Sequence, residues 1–224
     1  MISVVIPTYN SEEGLARTLS SLVTAAAEGV VREVAVVDSG STDGTKLVAE
    51  AAGCRLVDCS GGWGEQISTG VGAMRRSPWV LILPPRVDIE ANWHREASVF
   101  IERIERAGRM QTDAACLRLE FDGFGWRVRM AEYLIAWAGL LAGRYIAEQG
   151  LLLPRDLWDR CSAGGPPATH AVLVRCIGRR NMHRLRATGV IIDVAGYSGG
   201  SGKSALVLRY CLSALRIPGI GSNG

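Results

Sequence analysis

Side chains suited to binding a nucleotide follow three of the predicted strands. Tyr9 follows the first strand, Asp38 and Asp43 follow the second, and Arg86 follows the fourth. An aromatic ring can stack on a base, a carboxylate can accept hydrogen bonds from base or ribose, and a guanidinium can bind phosphate oxygens. The complete predicted set is Pro7, Thr8, Tyr9, Asn10, Asp38, Ser39, Gly40, Asp43 and Arg86. This set predicts a crevice for a nucleoside diphosphate; the alternative is that the two aspartates only cap turns and the next helix.

Short β-branched runs alternate with helical patterns in the first half of the chain. Four strands are predicted, at Ser3–Pro7, Glu33–Val37, Arg55–Val57 and Trp79–Leu83. Alternation of this kind is typical of βαβ units and of a largely parallel, buried sheet. Ligands of such sheets bind beyond the carboxyl ends of the strands, which is where the polar residues above are found.

The helices between these strands are predicted from capping signals and apolar spacing. Asn10 is the predicted N-cap of the first helix, with Glu13 in the capping-box position. The stripe predicted to face the core is Leu15, Leu19, Leu22, Val23 and Ala26. A second helix is predicted to open at Asp43-Gly44-Thr45 and to carry Leu47, Val48 and Ala51, and a third is predicted over Gly64–Met74.

The second half of the chain has a less regular pattern. Its predicted helices are Ile89–Ala107, Trp126–Leu141 and Ser204–Leu215, and its predicted strands are Ala114–Phe121, Leu151–Leu153, Met182–Leu185 and Val190–Val194. Apolar patterning continues on both sides of the Gly164–Pro167 loop, so no linker is predicted there. We therefore expect one domain over residues 1–224, with a nucleotide-binding half (1–110) and an acceptor-side half (111–224).

Composition excludes several classes of protein. The chain has 224 residues, 25 basic and 22 acidic side chains, and 48% hydrophobic residues. This apolar content excludes disorder, and a net charge of +3 is too small for a nucleic-acid binder driven by bulk charge. The longest apolar run, Leu134–Gly143, is about half of the roughly 20 residues that a spanning helix needs. No secretory signal is visible, and six cysteines without a C-x-x-C pair predict reduced thiols and a cytoplasmic location.

Two segments together resemble the amino-terminal half of glycosyltransferase family 2. They are Val4-Val5-Ile6-Pro7-Thr8-Tyr9-Asn10 and Val36-Val37-Asp38-Ser39-Gly40-Ser41-Thr42-Asp43-Gly44-Thr45. The resemblance continues more weakly through Trp79–Leu83, Phe121–Met130 and Glu148-Gln149-Gly150. It implies the A-type glycosyltransferase fold, a mostly parallel mixed sheet flanked by helices, and a nucleoside-diphosphate sugar donor. It also implies that Pro7, Tyr9 and Asp38 line the nucleotide pocket and that Asp43 supports its second loop.

The chain differs from this family at the position of the metal-binding aspartate and at the position of the carboxylate that acts as the catalytic base. Relatives carry a metal-binding aspartate just after the fourth strand, and a divalent ion, Mg²⁺ or Mn²⁺, is usual. This chain has Leu83-Pro84-Pro85-Arg86 there, so Arg86 occupies the aspartate position. A guanidinium could neutralise the diphosphate without a metal, which makes metal-independent donor binding our hypothesis.

The family's base carboxylate is also missing, because the matching stretch reads Pro167-Ala168-Thr169-His170. Transfer to a hydroxyl needs a group that accepts its proton. The candidates are Asp88, Glu90, Glu148 and His170, and Glu148 is favoured because it lies in a matched motif. The alternative function is a catalytically inactive relative that binds a nucleotide or a protein partner.

Three further features concern rival activities and partners. Gly196–Gly200 fits G-x-S-x-G, but no Asp, Glu or His follows Ser204, which argues against a hydrolase. Gly202-Lys203-Ser204 resembles the end of a P-loop whose first glycine is out of register. The acceptor is left open between a lipid-linked compound, a saccharide and a small molecule.

A basic stretch and an apolar helix bear on membrane contact. The basic residues are Arg175, Arg179, Arg180, His183, Arg184 and Arg186, and the helix is Tyr133–Leu141. Together they suit docking at the inner face of the cell membrane, where lipid-linked acceptors occur. A buried helix and a solvated basic face are the favoured alternative.

Overall fold

The computed structural model of the chain describes residues 1–74, 77–121, 145 and 147–191. These residues form one mixed β-sheet with α-helices packed on both of its faces. The strands are β1 (Ile2–Thr8), β2 (Val31–Asp38), β3 (Arg55–Asp58), β4 (Trp79–Ile82), β5 (Val87–Ile89), β6 (Ala114–Phe121), β7 (Leu151–Pro154) and β8 (Met182–Ile191). The helices are α1 (Glu12–Ala27), α2 (Thr45–Ala51), α3 (Trp63–Ala73), α4 (Trp93–Arg106), α5 (Arg155–Ser162) and α6 (His170–Ile177), with 3₁₀ turns at Ala147–Gln149 and Arg179–Asn181.

The amino-terminal half of the sheet is parallel, as predicted. The strand order is β3-β2-β1-β4-β7-β6-β8-β5, and β1 pairs in parallel with both β2 and β4. Thr8 lies opposite Asp38 at the ends of β1 and β2. The carboxyl ends of these strands therefore meet at one edge of the sheet, and the loops that follow them lie side by side.

The other half of the sheet is largely antiparallel. Strand β7 pairs antiparallel with both β4 and β6, and β5 pairs antiparallel with β8. Strands β6 and β8 are parallel to each other. All four residues of β4 and of β7 are buried, because helices cover both faces of the sheet at this point. The predicted mixed sheet flanked by helices is confirmed, and four of the seven strand pairs among the described residues are parallel.

Two apolar cores lie on the two faces of the sheet. One core contains residues of α1 and α4, such as Leu15 and Phe100, and the other contains residues of α3, α5 and α6, such as Ile67 and Leu173. Helix α3 packs very closely against the sheet at Gly70, where a Cβ would come within 2.6 Å of Val5 and 2.8 Å of Val37. The close packing of α3 against the sheet therefore explains why a glycine lies in the middle of this helix.

Several predictions of local structure are wrong. Asn10 is not the N-cap of α1; Ser11 is, and Asn10 has a φ of 45° with its side chain turned to the neighbouring loop. Leu15, Leu19 and Leu22 are buried as predicted, but Val23 is 62% exposed. The buried stripe of the helix continues at Ala25, and Ala26 is exposed. Leu47 of α2 is exposed as well.

The second half differs from prediction mainly in short elements. Strand β5 was not predicted: the predicted helix began at Ile89, its last residue, and no element was assigned to Val87 and Asp88. Helices α5 and α6 were also not predicted, and the two predicted strands after Asn181 form the single ten-residue β8. The predicted helices Trp126–Leu141 and Ser204–Leu215 lie outside the described residues, as does the glycine-rich segment 196–204.

The cysteines correct the prediction of six reduced thiols. Cys161 at the end of α5 and Cys176 near the end of α6 form a disulfide, with their Cα atoms 5.9 Å apart. The two helices contact each other, and this brings together cysteines that are 15 residues apart in the sequence. No short-range spacing signal marks such a pair. Cys54, Cys59 and Cys116 are free thiols.

None of the helices in the described part of the chain combines the length and apolar character that crossing a bilayer requires.

Candidate functional site

A pocket of about 390 Å³ lies at the carboxyl ends of β1 and β4. Its described lining is Pro7, Thr8, Tyr9, Ser39, Trp63, Gln66, Ile82, Pro84, Pro85 and Ala147. Four of the nine residues predicted to bind a nucleotide are therefore brought together. The described lining contains no charged side chain, so the pocket suits a neutral part of a ligand.

The loops after β1 and β2 are joined by a network of hydrogen bonds. The Asn10 N–H donates to Ser41 Oγ (2.8 Å), and Asn10 Oδ1 accepts from the Thr42 N–H (2.9 Å). Glu12 Oε2 accepts from the Gly44 N–H (2.9 Å), and the Glu12 N–H donates to Asp43 Oδ2 (3.2 Å). These bonds fix the relative position of the two loops on which the predicted site residues lie.

Asp38 is fully buried at the end of β2 and organises the second loop. Its Oδ2 accepts from the backbone N–H groups of Gly40 (3.0 Å) and Ser41 (2.8 Å), and its Oδ1 accepts from the hydroxyls of Thr8 and Ser41. Burial raises the pKa of Asp38, but these hydrogen bonds lower it more, so the pKa lies below its usual value. Asp38 is therefore an ionised anchor for the backbone of residues 39–41.

Asp43 has a corresponding role at the start of α2. Its Oδ1 accepts from the backbone N–H (3.1 Å) and hydroxyl (2.5 Å) of Thr45, and Oδ2 accepts from Glu12. Burial raises the pKa of Asp43, and the hydrogen bonds from Thr45 and Glu12 lower it more, for a net decrease. The support of the second loop by Asp43 that the family resemblance implied is consistent with these bonds.

Arg86 lies beside the pocket on the loop that follows β4. Pro84 and Pro85 line the pocket, and the exposed Arg86 follows them directly. A Cβ at Gly14 of α1 would collide with the carbonyl oxygen of Pro85 and come within 2.9 Å of Arg86 Cγ. The loop therefore rests on the first turn of α1, and Arg86 forms no ion pair with the described residues.

His170 lies behind Trp63, one of the residues that line the pocket. Their rings meet edge to face, with centroids 5.9 Å apart and planes at 78°. Burial lowers the pKa of His170 to about 4, against a smaller opposing effect of the Tyr145 backbone, so the ring is neutral at pH 7. His170 holds Trp63 in place from outside the pocket.

Two residues of the pocket, Trp63 and Gln66, were missed by the sequence analysis. They lie on the first turn of α3, whereas the residues predicted to bind the nucleotide all follow strand ends. The pair Gly61-Gly62 immediately before this helix is the one signal that could have directed attention to them, since paired glycines mark a loop next to a helix start.

Known proteins resemble this chain most clearly over its amino-terminal part. The model of glycosyltransferase family 2 matches residues 3–83, which include both hydrogen-bonded loops and β4. The amino-terminal part of the chain, residues 3–83, is therefore similar to glycosyltransferase family 2. The chain is 39% identical over 83 residues to glycosyltransferase AglJ of Haloferax volcanii, and 43% identical over 56 residues to glucosyl-3-phosphoglycerate synthase of Mycolicibacterium paratuberculosis.

These matches cover only part of the proteins concerned. They span 37% and 25% of this chain, and 26% and 17% of the length of the two curated relatives. A solved structure resembles the chain over a greater length: glucosyl-3-phosphoglycerate synthase of Mycobacterium tuberculosis in complex with Mn²⁺, UDP-glucose and phosphoglyceric acid. It has a TM-score of 0.57 and 21% identity, and the match covers 99% of this chain and 82% of that one. The chain has the A-type glycosyltransferase fold, as predicted.

A divalent metal is usual in family 2, and that synthase structure contains Mn²⁺. The side chains described here do not fit such an ion. No group of three or more His, Cys, Asp or Glu side chains that could hold a metal is found among the described residues, and the loop after β4 offers two prolines and the guanidinium of Arg86. A cation at this position repels a second cation, so we derive no catalytic step through a metal.

The residues predicted as candidates for the catalytic base lie in different places in the structure. Asp88 and Glu90 line a separate pocket with Ser20 and Thr24 of α1, on the β5 edge of the sheet. Glu148 belongs to the 3₁₀ turn whose first residue, Ala147, lines the site pocket. The structure thus brings the backbone of Glu148 to the pocket and leaves Asp88 and Glu90 away from it.

The predicted basic stretch lies on α6, the following 3₁₀ turn and β8. Its five arginines are exposed, and His183 pairs with the buried Asp113. The apolar helix Tyr133–Leu141 lies outside the described residues. Contact of the protein with a membrane therefore stays a prediction, and so does its cytoplasmic location.

Proposed function

We propose that the protein transfers a sugar from a nucleoside-diphosphate donor to the hydroxyl group of an acceptor. The observation that carries this proposal is that the segment matching glycosyltransferase family 2 contains the two loops that form the wall of the pocket. The two curated relatives are named as a glycosyltransferase and as glucosyl-3-phosphoglycerate synthase, and the solved synthase contains UDP-glucose. These names support a nucleotide-sugar donor without specifying the sugar or acceptor used here.

The neutral pocket and the exposed arginine suggest how such a donor is held. The nucleoside would occupy the pocket beside Tyr9 and Ser39, because the described lining offers apolar and uncharged polar groups. The diphosphate would lie at the mouth of the pocket, within reach of Arg86. A guanidinium can donate two parallel hydrogen bonds to phosphate oxygens and stabilise the charge that develops as the diphosphate leaves.

We propose that donor binding does not require a divalent metal. Nucleoside-diphosphate affinity, measured by calorimetry in EDTA and in Mn²⁺ or Mg²⁺, should then change less than about threefold. Arg86→Ala should weaken binding by about tenfold or more, since hydrogen bonds to charged groups contribute roughly 1.5–3 kcal/mol. Arg32→Ala, which removes an exposed arginine at the opposite end of β2, is the matched control and should have no effect. An increase in affinity of more than tenfold on adding metal would refute metal independence.

Transfer also needs an acceptor for the proton of the hydroxyl group. The acceptor oxygen bonds to the anomeric carbon, the bond from that carbon to the diphosphate breaks, and the proton passes to a base. We propose Glu148 as this base, because its 3₁₀ turn adjoins the pocket. His170 is a weaker choice, since a pKa of about 4 makes it a poor proton acceptor at pH 7.

The experiment that tests the function incubates the purified chain with UDP-, GDP- and TDP-sugars and follows release of the nucleoside diphosphate. Slow hydrolysis of one donor, lost in Glu148→Gln while nucleotide binding persists, is the expected result. Binding without turnover under any condition would instead indicate the inactive, nucleotide-binding alternative. Absence of binding to all three donors would overturn the proposed function.

A further inference from the structure

Gln66 of α3 lines the pocket, and no hydrogen bond joins its side-chain amide to another described residue. Gln66 is 8% exposed, and its backbone N–H donates to Gly62 at 3.0 Å. An amide in this position can donate hydrogen bonds to a ligand in the pocket and accept hydrogen bonds from it.

Trp63 offers a flat apolar surface on the same turn of helix. Its indole lines the pocket together with Gln66, and Tyr9 lines it from the loop after β1. Trp63 is fixed from behind by the edge-to-face contact with His170. The turn itself is also fixed, because a Cβ at Gly64 would collide with the carbonyl oxygen of Pro167. Trp63 and Gln66 are therefore presented by a rigid element.

We propose that the first turn of α3 selects the base of the donor, with Trp63 stacking on the base and Gln66 hydrogen-bonding to its edge. This inference rests on the proposed function. An amide carries a donor and an acceptor side by side, which matches the adjacent donor and acceptor groups on the edge of a nucleobase. Trp63 supplies stacking, which tolerates any base, so the discrimination between bases resides in Gln66.

The charge distribution agrees with this assignment. The described pocket lining is uncharged, whereas Arg86 stands exposed beside it on the next loop. A nucleoside diphosphate has a neutral flat base at one end and its negative charge at the other. The base therefore fits the pocket, and the phosphates fit the side where Arg86 lies.

The test measures the affinities of UDP, TDP, GDP, ADP and CDP for the wild-type chain and for Gln66→Met, which keeps the length of the side chain and removes its hydrogen bonds. The tightest of these ligands should bind about tenfold more weakly to Gln66→Met, through loss of one or two hydrogen bonds. The ratio between the tightest and weakest base should fall by a similar factor. Inorganic pyrophosphate, which has no base, should bind both proteins equally.

Two further variants separate recognition from structural damage. Trp63→Leu should weaken all five nucleotides by about tenfold with little change in their ranking, because stacking does not distinguish the bases. Glu65→Gln alters an exposed residue of the same turn and should leave all affinities unchanged.

The possible outcomes distinguish this inference from the proposed function. If the wild-type chain binds a nucleoside diphosphate and Gln66→Met binds it equally well with the same ranking, the inference is wrong and the proposed function stands. An equal loss of pyrophosphate and nucleotide binding in Gln66→Met also overturns base selection, because it reports general damage to the site. If the wild-type chain binds none of the five nucleotides, the proposed function fails and the inference fails with it.

Discussion

Replacement of Asp38 tests whether this carboxylate holds the second loop or contacts the ligand. Asp38→Asn keeps the shape of the side chain but removes its charge. If the amide oxygen takes the place of Oδ2, the two bonds from the backbone N–H groups of Gly40 and Ser41 remain, but as neutral hydrogen bonds. Each should lose about 1 kcal/mol, so we expect a total loss of about 2 kcal/mol in the free energy of unfolding.

For a chain of this length, about 2 kcal/mol corresponds to a decrease in Tm of roughly 4–8 °C. Asp38→Ala removes all four acceptor contacts and should lower Tm about twice as far. Asp58→Asn is the matched control, since Asp58 lies opposite Asp38 in the sheet register but has a side chain that is 72% exposed. Its exposed ion pair with Lys46 contributes little, so its Tm should change by about 1 °C or less.

Thermal unfolding and nucleotide binding, measured on the same samples, decide between the two roles. The loop-holding role predicts a lower Tm for Asp38→Asn and an affinity within about threefold of wild type below the transition. An unchanged Tm together with a large loss of affinity would refute this reasoning and assign Asp38 to direct ligand contact.

The same carboxylate makes stability depend on pH in a defined direction. The pKa of Asp38 is lower in the folded protein than its usual value, so the folded state favours the ionised form. The stabilisation is therefore present above the pKa of the unfolded chain, about 3.9, and is lost as the pH falls through the lower pKa of the folded state. The difference in Tm between wild type and Asp38→Asn should shrink as the pH is lowered below about 4.

Two other changes test the loop after β4 and the disulfide between α5 and α6. Gly14→Ala places a methyl group against the carbonyl oxygen of Pro85, so we expect a loss of about 1–3 kcal/mol and weaker nucleotide binding as the loop shifts. In its control, Gly72→Ala, the new Cβ meets no atom within 4 Å, and Tm should stay the same or rise. Cys161→Ser opens a disulfide across 15 residues and should cost about 3 kcal/mol, or roughly 6–12 °C in Tm. A reductant should lower the Tm of the wild type toward that of this variant and leave the variant unchanged; equal responses of both to the reductant would contradict the assignment.

The parallel half of the fold was predictable because its strands are short β-branched runs, each separated from the next by a helical pattern. The positions of Pro7, Tyr9 and Ser39 at the pocket follow directly, since parallel strands bring their carboxyl ends together. The antiparallel half was less predictable. Strand β5 has only three residues, and the pairing of β7 with β4 joins segments about 70 residues apart.

The parts of the site that escaped prediction depend on tertiary contacts. Asp38 was predicted to face the nucleotide, but whether its oxygens are used by the loop depends on where Ser41 and Thr8 lie in space. Gln66 belongs to no motif, and its place in the pocket lining depends on how α3 packs beside the strand ends, which no sequence pattern reports. The position of Asp88 away from the pocket likewise follows from β5 pairing with β8.

The pairing of β4 also has a consequence for synthesis on the ribosome. The parallel half can assemble once residue 82 has emerged, but the free edge of β4 finds its partner β7 only when residues 151–154 are made. At 5–20 residues per second the delay is about 4–14 s. During this interval the nascent chain presents an apolar strand edge, Trp79–Ile82, able to pair with any other extended segment. Slowing translation between residues 83 and 150 should therefore increase aggregation and the need for chaperones, whereas slowing it after residue 154 should not.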